Sequence, residues 1–225
     1  MEGGLRLSGA VKMKLFQGVP HRELSVLELI KYGLPQPGLP REVNEWRFKN
    51  QPNLWRGVWK VLIARALKIP HFYGQLSLAV TRNGVRIPYG LASLRVVTTA
   101  AVTDICTRFA GTSAANIANY KYHGFGTGTT AEAAGDTALV TELTTEYATD
   151  STRPTGSQSA STNTYTTVAT LSPDSGGTLA ITEHGVFSAT SSTTLLDRSK
   201  FSAINLVSGS DSLQATYVLT LNSGG

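Results

Sequence analysis

Residues 179–221 read LAITEHGVFSATSSTTLLDRSKFSAINLVSGSDSLQATYVLTL. In the first run Leu179, Ile181 and Glu183 fall on one side, and Ala180, Thr182 and His184 on the other. In the last run Leu213, Ala215, Tyr217, Leu219 and Leu221 share one face, opposite Gln214, Thr216, Val218 and Thr220. A period of two marks half-buried strands. Turn-forming residues separate the runs at Ala189-Thr190-Ser191-Ser192, at Asn205 and at Ser208-Gly209-Ser210-Asp211. The pattern predicts four successive antiparallel strands over about 179–188, 194–198, 200–207 and 212–221. Such a meander has one dry face, and the rest of the chain must supply a second layer to cover it.

Working outward, Leu76, Leu78 and Val80 alternate before Arg82-Asn83-Gly84-Val85, an Asn-Gly hairpin turn, and Val85, Ile87 and Tyr89 continue the alternation. Val102, Ile105, Cys106 and Phe109 switch to helical spacing, predicting one short helix over 98–109. Strands are expected over 119–126, 145–155 and 163–171, with a Gly/Thr/Ala loop at 127–136 and a Ser/Thr-rich connection at 156–162. Ser and Thr are 46 of the 150 residues from 76 onward, a composition of solvated β surface rather than of a cleft.

The first third differs. Residues 1–75 carry 12 Lys/Arg against 5 Asp/Glu, a net +7; residues 76–225 carry 8 against 10, a net −2. Threonine is absent before residue 76, and all three Trp precede residue 60. Two segments are therefore expected: 1–75, a basic, extended and partly helical N-terminal arm that serves as an anchor, and 76–225, an antiparallel β-sandwich. Met1 to Val19 is Gly-dotted and basic, and reads as an extended arm. A helix of about ten residues follows Pro20-His21-Arg22-Glu23 and stops at Gly33. Pro35, Pro37 and Pro40 make an extended connector.

The clearest helix spans 53–68, with Asn53 as N-cap after Pro52. Leu54, Trp55, Val58, Trp59, Leu62 and Ile63 form its apolar stripe and are the predicted partner-binding residues; Arg56, Lys60 and Lys68 sit largely off it. Docking on a protein surface is the simplest reading. A basic amphipathic helix lying on a membrane and a nucleic-acid contact are the others, and no Arg/Lys run or motif accompanies the latter.

Little resembles catalytic chemistry. Gly124-Phe125-Gly126-Thr127-Gly128-Thr129-Thr130 has the look of a phosphate loop but lacks the Lys that must follow; no Lys lies between Lys121 and Lys200. His21, His71, His123 and His184 are dispersed, so no metal site is expected. Glu183 and His184, as strand neighbours, point to opposite faces. Asp197-Arg198 suggests an ion pair with a loop. Nothing resembling Gly-x-Ser-x-Gly supports a hydrolase. No enzyme activity and no cofactor are expected. Tyr120, Tyr122 and Tyr147 are candidates for glycan binding, although core packing explains strand tyrosines more often. The single Cys106 can form no intrachain disulfide, as suits a chain made in a cytosol. No run approaches a membrane span.

Lys121 to Ala133 with Gly135 to Leu143, Ala180 to Ala189, Leu196-Asp197-Arg198 and Phe201 to Asn205 together resemble a β domain of structural proteins in tailed-bacteriophage virions, over about residues 90–223. The resemblance implies a virion structural protein made in the host cytoplasm, of the capsid decoration or cement type. Its expected partners are the major capsid protein or other virion proteins, in a homo-oligomer, with no direct nucleic-acid or membrane contact. A tail, collar or fibre component is the alternative, and a glycan-binding β module the second. Residues 1–75 lie outside the resemblance, which leaves the attachment site open.

Overall fold

The computed structural model describes residues 18–111, 117–148, 152–191 and 194–223. Among these residues lie helices α1 (Val26–Gly33), α2 (Arg41–Ala66) and α3 (Thr99–Phe109). The strands are β1 (His71–Arg82), β2 (Val85–Val96), β3 (Tyr122–Gly126), β4 (Ser157–Ser161), β5 (Thr164–Leu171), β6 (Thr178–Phe187), β7 (Leu195–Val207) and β8 (Ser212–Asn222). The fold is mainly β and sandwich-like. A five-stranded antiparallel sheet, in the order β2-β1-β8-β5-β4, faces a three-stranded one, β3-β6-β7. Leu76, Leu78, Val80, Leu171 and Leu213 of the large sheet meet Phe125, Ile181, Phe201 and Ile204 of the small one in the main core.

The stretch from Leu179 to Leu221 holds three strands, not four. The expected strands 194–198 and 200–207 break at Ser199, yet β7 passes straight through it. Arg198 is ion-paired to Glu183 at 2.8 Å, and the Ser199 hydroxyl receives a 2.7 Å hydrogen bond from Ser93, so these polar groups are buried without loss. Nor is the stretch a meander: β6 and β7 pair in the small sheet, whereas β8 crosses to the centre of the large one, between β1 and β5.

The Asn-Gly hairpin forms as expected, with Asn83 and Gly84 both at positive φ (48° and 73°). So does the short helix: α3 is capped by Thr98, whose Oγ1 accepts from the Ala101 amide at 3.1 Å. The strand expected over 145–155 is not found in its described part. Tyr147 and Thr155 make only isolated bridges, and 149–151 lie outside the described residues, as does Ser192 of the expected turn. β4 occupies the segment read as a connection. All five of its residues are exposed, so no apolar alternation marks it.

In the N-terminal third α1 begins later than expected. Ser25 and Glu28 form a capping box, with Ser25 Oγ accepting from the Glu28 amide at 3.3 Å and Glu28 Oε2 from the Ser25 amide at 3.0 Å. α2 starts at Arg41, twelve residues before the expected start at residue 53, and carries Pro52 and Asn53 in its interior. An interior proline costs a helix about 3 kcal/mol. The exposed Pro52 faces water, and burial of Val43, Trp46, Leu54, Val58 and Val61 along the same helix offsets that cost.

α2 closes the seam where the edge strands β2 and β7 meet. Asn50 Nδ2 donates to the Ala92 carbonyl at 2.7 Å, and Asn50 Oδ1 accepts from the Ser202 amide at 2.8 Å. Trp46 Nε1 donates to the Ser202 carbonyl at 2.7 Å, and Val43 and Trp46 belong to the main core. Buried Arg47 donates to the carbonyls of Tyr89 (2.8 Å), Leu34 (3.0 Å) and Lys31 (3.3 Å), tying α1 to β2. The boundary expected after residue 75 thus falls inside β1, and residues 41–66 share the core of the sheets. The described part of the expected arm is two packed helices; residues 1–17 lie outside the described residues.

Candidate functional site

The six residues predicted to bind a partner divide between two faces of α2. Leu54 and Val58 are buried against Tyr73, Leu91 and Leu94 on the outer face of the large sheet. The helix can sit that close because residue 57 is glycine: any Cβ there overlaps the Leu94 carbonyl. Trp55 and Leu62 are half-buried beside this cluster. Trp59 and Ile63 point outward, 61% and 57% exposed.

Trp55, Trp59, Ile63 and Leu67 recur every fourth residue and so stack along one side of the helix. The two indoles lie 6.0 Å apart, and Trp55 Nε1 donates to Gln51 Oε1 at 2.7 Å, which fixes the first ring. Leu67 and Ile69 extend the exposed row past the helix end. Arg56, Lys60 and Lys68 are its exposed cationic neighbours. Acidic residues are absent from the sequence between Glu45 and Asp104, so the row has no carboxylate of its own segment beside it. Among the described residues the one carboxylate within 4 Å of these cations is Glu132, 3.9 Å from Arg56 and held more closely by Arg95 at 2.5 Å. The arrangement is an apolar ridge with a basic flank, rooted in the core on its far side.

The residues that resembled chemistry are used structurally. The Gly128 amide, which a phosphate loop would aim at a ligand, donates to Glu183 Oε1 at 3.1 Å. Glu183 also accepts from the amides of Thr141 (2.8 Å) and Val140 (3.1 Å). Arg198 joins Glu183 to Asp136 at 3.0 Å and donates to the Thr130 carbonyl at 2.9 Å, which is the loop ion pair read from Asp197-Arg198. A recess of about 110 Å³ lies nearby, lined by Arg56, Lys60, Arg95, Glu132 and Arg198, but its two buried arginines are already paired.

His184 does point away from Glu183, and β3 brings it to a histidine the sequence spacing kept apart. His123 Nδ1 and His184 Nε2 are 2.8 Å apart, with His123 Nε2 3.1 Å from Thr167 Oγ1. Burial holds His123 at about 3, and burial with the neighbouring ring holds His184 well below its usual value; both are neutral. Burial raises Asp197 to about 7, against the opposing bond from Ser199 and the charge of Arg95. Among the described residues no group of three or more His, Cys, Asp or Glu could hold a metal. Of the candidate glycan-binding tyrosines, Tyr120 and Tyr147 are buried, Tyr120 donating to Asp104 Oδ2 at 2.6 Å; Tyr122 is half-buried. No helix among the described residues is long and apolar enough to cross a membrane.

Helical spacing alone does not decide which half of the α2 stripe stays outside; the β2 surface it packs on does. The spacing of four from Trp55 to Leu67 was the available signal. The chain matches no protein-family model and no curated protein.

Proposed function

We propose that this chain is a non-enzymatic structural protein of a tailed-phage particle, a decoration or cement protein that holds the capsid lattice by the exposed ridge of α2. The observation that carries the reading is the ridge itself: Trp59, Ile63 and Leu67 stand exposed on a helix whose opposite face is locked into the core. Burying each such side chain is worth roughly 1.5–3 kcal/mol. An exposed ion pair from Arg56 or Lys60 adds about 0–1 kcal/mol. Apolar burial therefore dominates attachment, and repeated contacts from many copies strengthen it further. The sequence resemblance over about residues 90–223 supports the virion setting.

Occupancy on purified particles tests the reading. Trp59→Ala with Ile63→Ala abolishes attachment at low and high salt, whereas Arg56→Gln with Lys60→Gln weakens it slightly. Loss only in the charge variant, or only in salt, overturns it. Electron microscopy of the particle is expected to find the protein on the capsid lattice; a position confined to tail or collar favours the runner-up, a component of that part of the particle.

A further inference from the structure

Phe48, Pro52, Trp55, Trp59, Leu62 and Ala66 of α2 follow one another at steps of four, three, four, three and four residues. At about 100° per residue the six fall within an arc of about 80°. The row from Trp55 to Leu67 winds round the helix by about 40° at every step, whereas this line runs nearly straight for about 27 Å. Among the described residues Phe48 is 70% exposed and Trp59 61%. Pro52 and Ala66 are exposed as well, and Trp55 and Leu62 are half-buried. An apolar line at alternating steps of three and four suits a second helix lying alongside, each side chain entering a hole between four residues of its neighbour. A membrane surface asks only for an apolar face and sets no such spacing.

In this register Gln51, Val58 and Arg65 flank the line on one side, and Lys49, Arg56 and Ile63 on the other. α1 already covers the first side: Gln51 Nε2 donates to the Gly33 carbonyl and Arg65 to the Leu24 carbonyl, both at 2.9 Å. The open side is cationic. Lys49 and Arg56 are exposed there. Glu45, one turn before Lys49, is held by Arg41 at 2.6 Å, and Glu132 is held by Arg95 at 2.5 Å. We propose that α2 receives an amphipathic helix of another protein, whose apolar residues repeat at three and four and whose flank towards Lys49 and Arg56 carries Asp or Glu. The inference rests on the reading of this face as the attachment surface, and names the element that meets it. A second copy of this chain does not fit. Its α2 offers only the same cationic flank, because α1 covers the other, and Lys49 and Arg56 of two copies then face each other. Flanking charges choose the partner of a paired helix, and like charges select against self-pairing.

Two synthetic peptides of about four heptads serve as probes, both with Leu at the alternating apolar positions, one with Glu and one with Lys at the flanking ones. Each is titrated into the full chain at low salt and followed by calorimetry. The expected result is saturable binding of the Glu peptide, at least tenfold tighter than the Lys peptide. Phe48→Ala with Trp59→Ala, both exposed positions, weakens that binding at least tenfold. Lys49→Glu with Arg56→Glu reverses the preference, so that the Lys peptide binds the tighter. No binding of the Glu peptide, equal binding of the two, or a preference unchanged by the charge reversal overturns the proposal. A dimer of the full chain in sedimentation that Phe48→Ala with Trp59→Ala dissolves overturns it too, assigning the face to a second copy. Binding to phosphatidylglycerol vesicles with none to the Glu peptide overturns it in favour of a membrane. No phage particle is involved. Failure here, with Trp59→Ala and Ile63→Ala still losing occupancy on particles, leaves the attachment reading standing; success here, with those variants keeping occupancy, removes that reading alone.

Discussion

Gly57 of α2 packs directly on the carbonyl of Leu94 in β2, with no room for a side chain between helix and sheet. The Arg95 guanidinium lies against the same position, so the obstruction is backbone and a paired arginine together. Gly57→Ala must push the helix off the sheet and loosen Leu54, Val58 and Leu91 at once. Ordinary overpacking costs about 1–3 kcal/mol, and the expected loss is at or above the top of that range. A thermal melt checks it: Gly57→Ala lowers Tm, although alanine is the better helix former at open positions.

Asn50 offers a second check on the same junction. Asn50→Ala removes the side-chain partners of the buried Ala92 carbonyl and the half-buried Ser202 amide. The expected loss is about 2–4 kcal/mol, from one to two unsatisfied groups. By the same logic a fragment of residues 76–225, which the composition shift marks as a unit, lacks Val43, Trp46 and Asn50 and half of β1. Circular dichroism of that fragment is expected to show no cooperative melt.

The ridge and the core face of α2 separate in stability measurements. Trp59→Ala and Ile63→Ala change unfolding free energy by about 0.5 kcal/mol or less, because both side chains are exposed. Leu54→Ala costs about 2–5 kcal/mol. Denaturant titration of the three variants gives the comparison directly. Equal losses at all three positions contradict the division of the stripe.

The buried histidines and Asp197 set opposite pH dependences. His123 and His184 are neutral when folded and titrate near 6.5 when unfolded, so the unfolded chain binds two more protons below that pH and stability falls with acid. Asp197 is raised to about 7 from its ordinary 3.8, so between these values the folded chain binds one more proton, and stability falls as pH rises. Between about pH 4 and 6.5 these groups together leave one excess proton on the unfolded chain, a slope of about 1.4 kcal/mol per pH unit. Asp197→Asn removes the opposing group and doubles that contribution to about 2.7 kcal/mol per unit. Denaturant titrations of both proteins across this window show a steeper acid loss in the variant; an unchanged slope contradicts a protonated Asp197.

Much of this architecture is legible in the residues. Alternation gives β1, β2, β6 and β8, the Asn-Gly pair gives the hairpin, and Thr98 with its helical spacing gives α3. Strand β7 is read as two because Arg198 and Ser199 look like surface and find buried partners only in three dimensions. Strand β4 is hidden because an all-exposed edge strand has no dry face to betray it. The first half of α2 is hidden behind Pro52, whose local signal for a boundary is overridden by the tertiary burial of Trp46 and Val43. The ridge is half legible: spacing collects the six apolar residues, but only the position of β2 decides that Leu54 and Val58 face in while Trp59 and Ile63 face out.

Arg47 carries a different message. Its three partners are main-chain oxygens, which neither gain nor lose protons in the range where proteins live. Burial pulls the guanidinium down only to about 10, still charged at neutral pH and below. The clasp joining α1 and β2 is therefore indifferent to acid, while the histidine pair linking β3 to β6 is not. Acid therefore acts on the small sheet through this pair, while the Arg47 clasp keeps its hydrogen bonds.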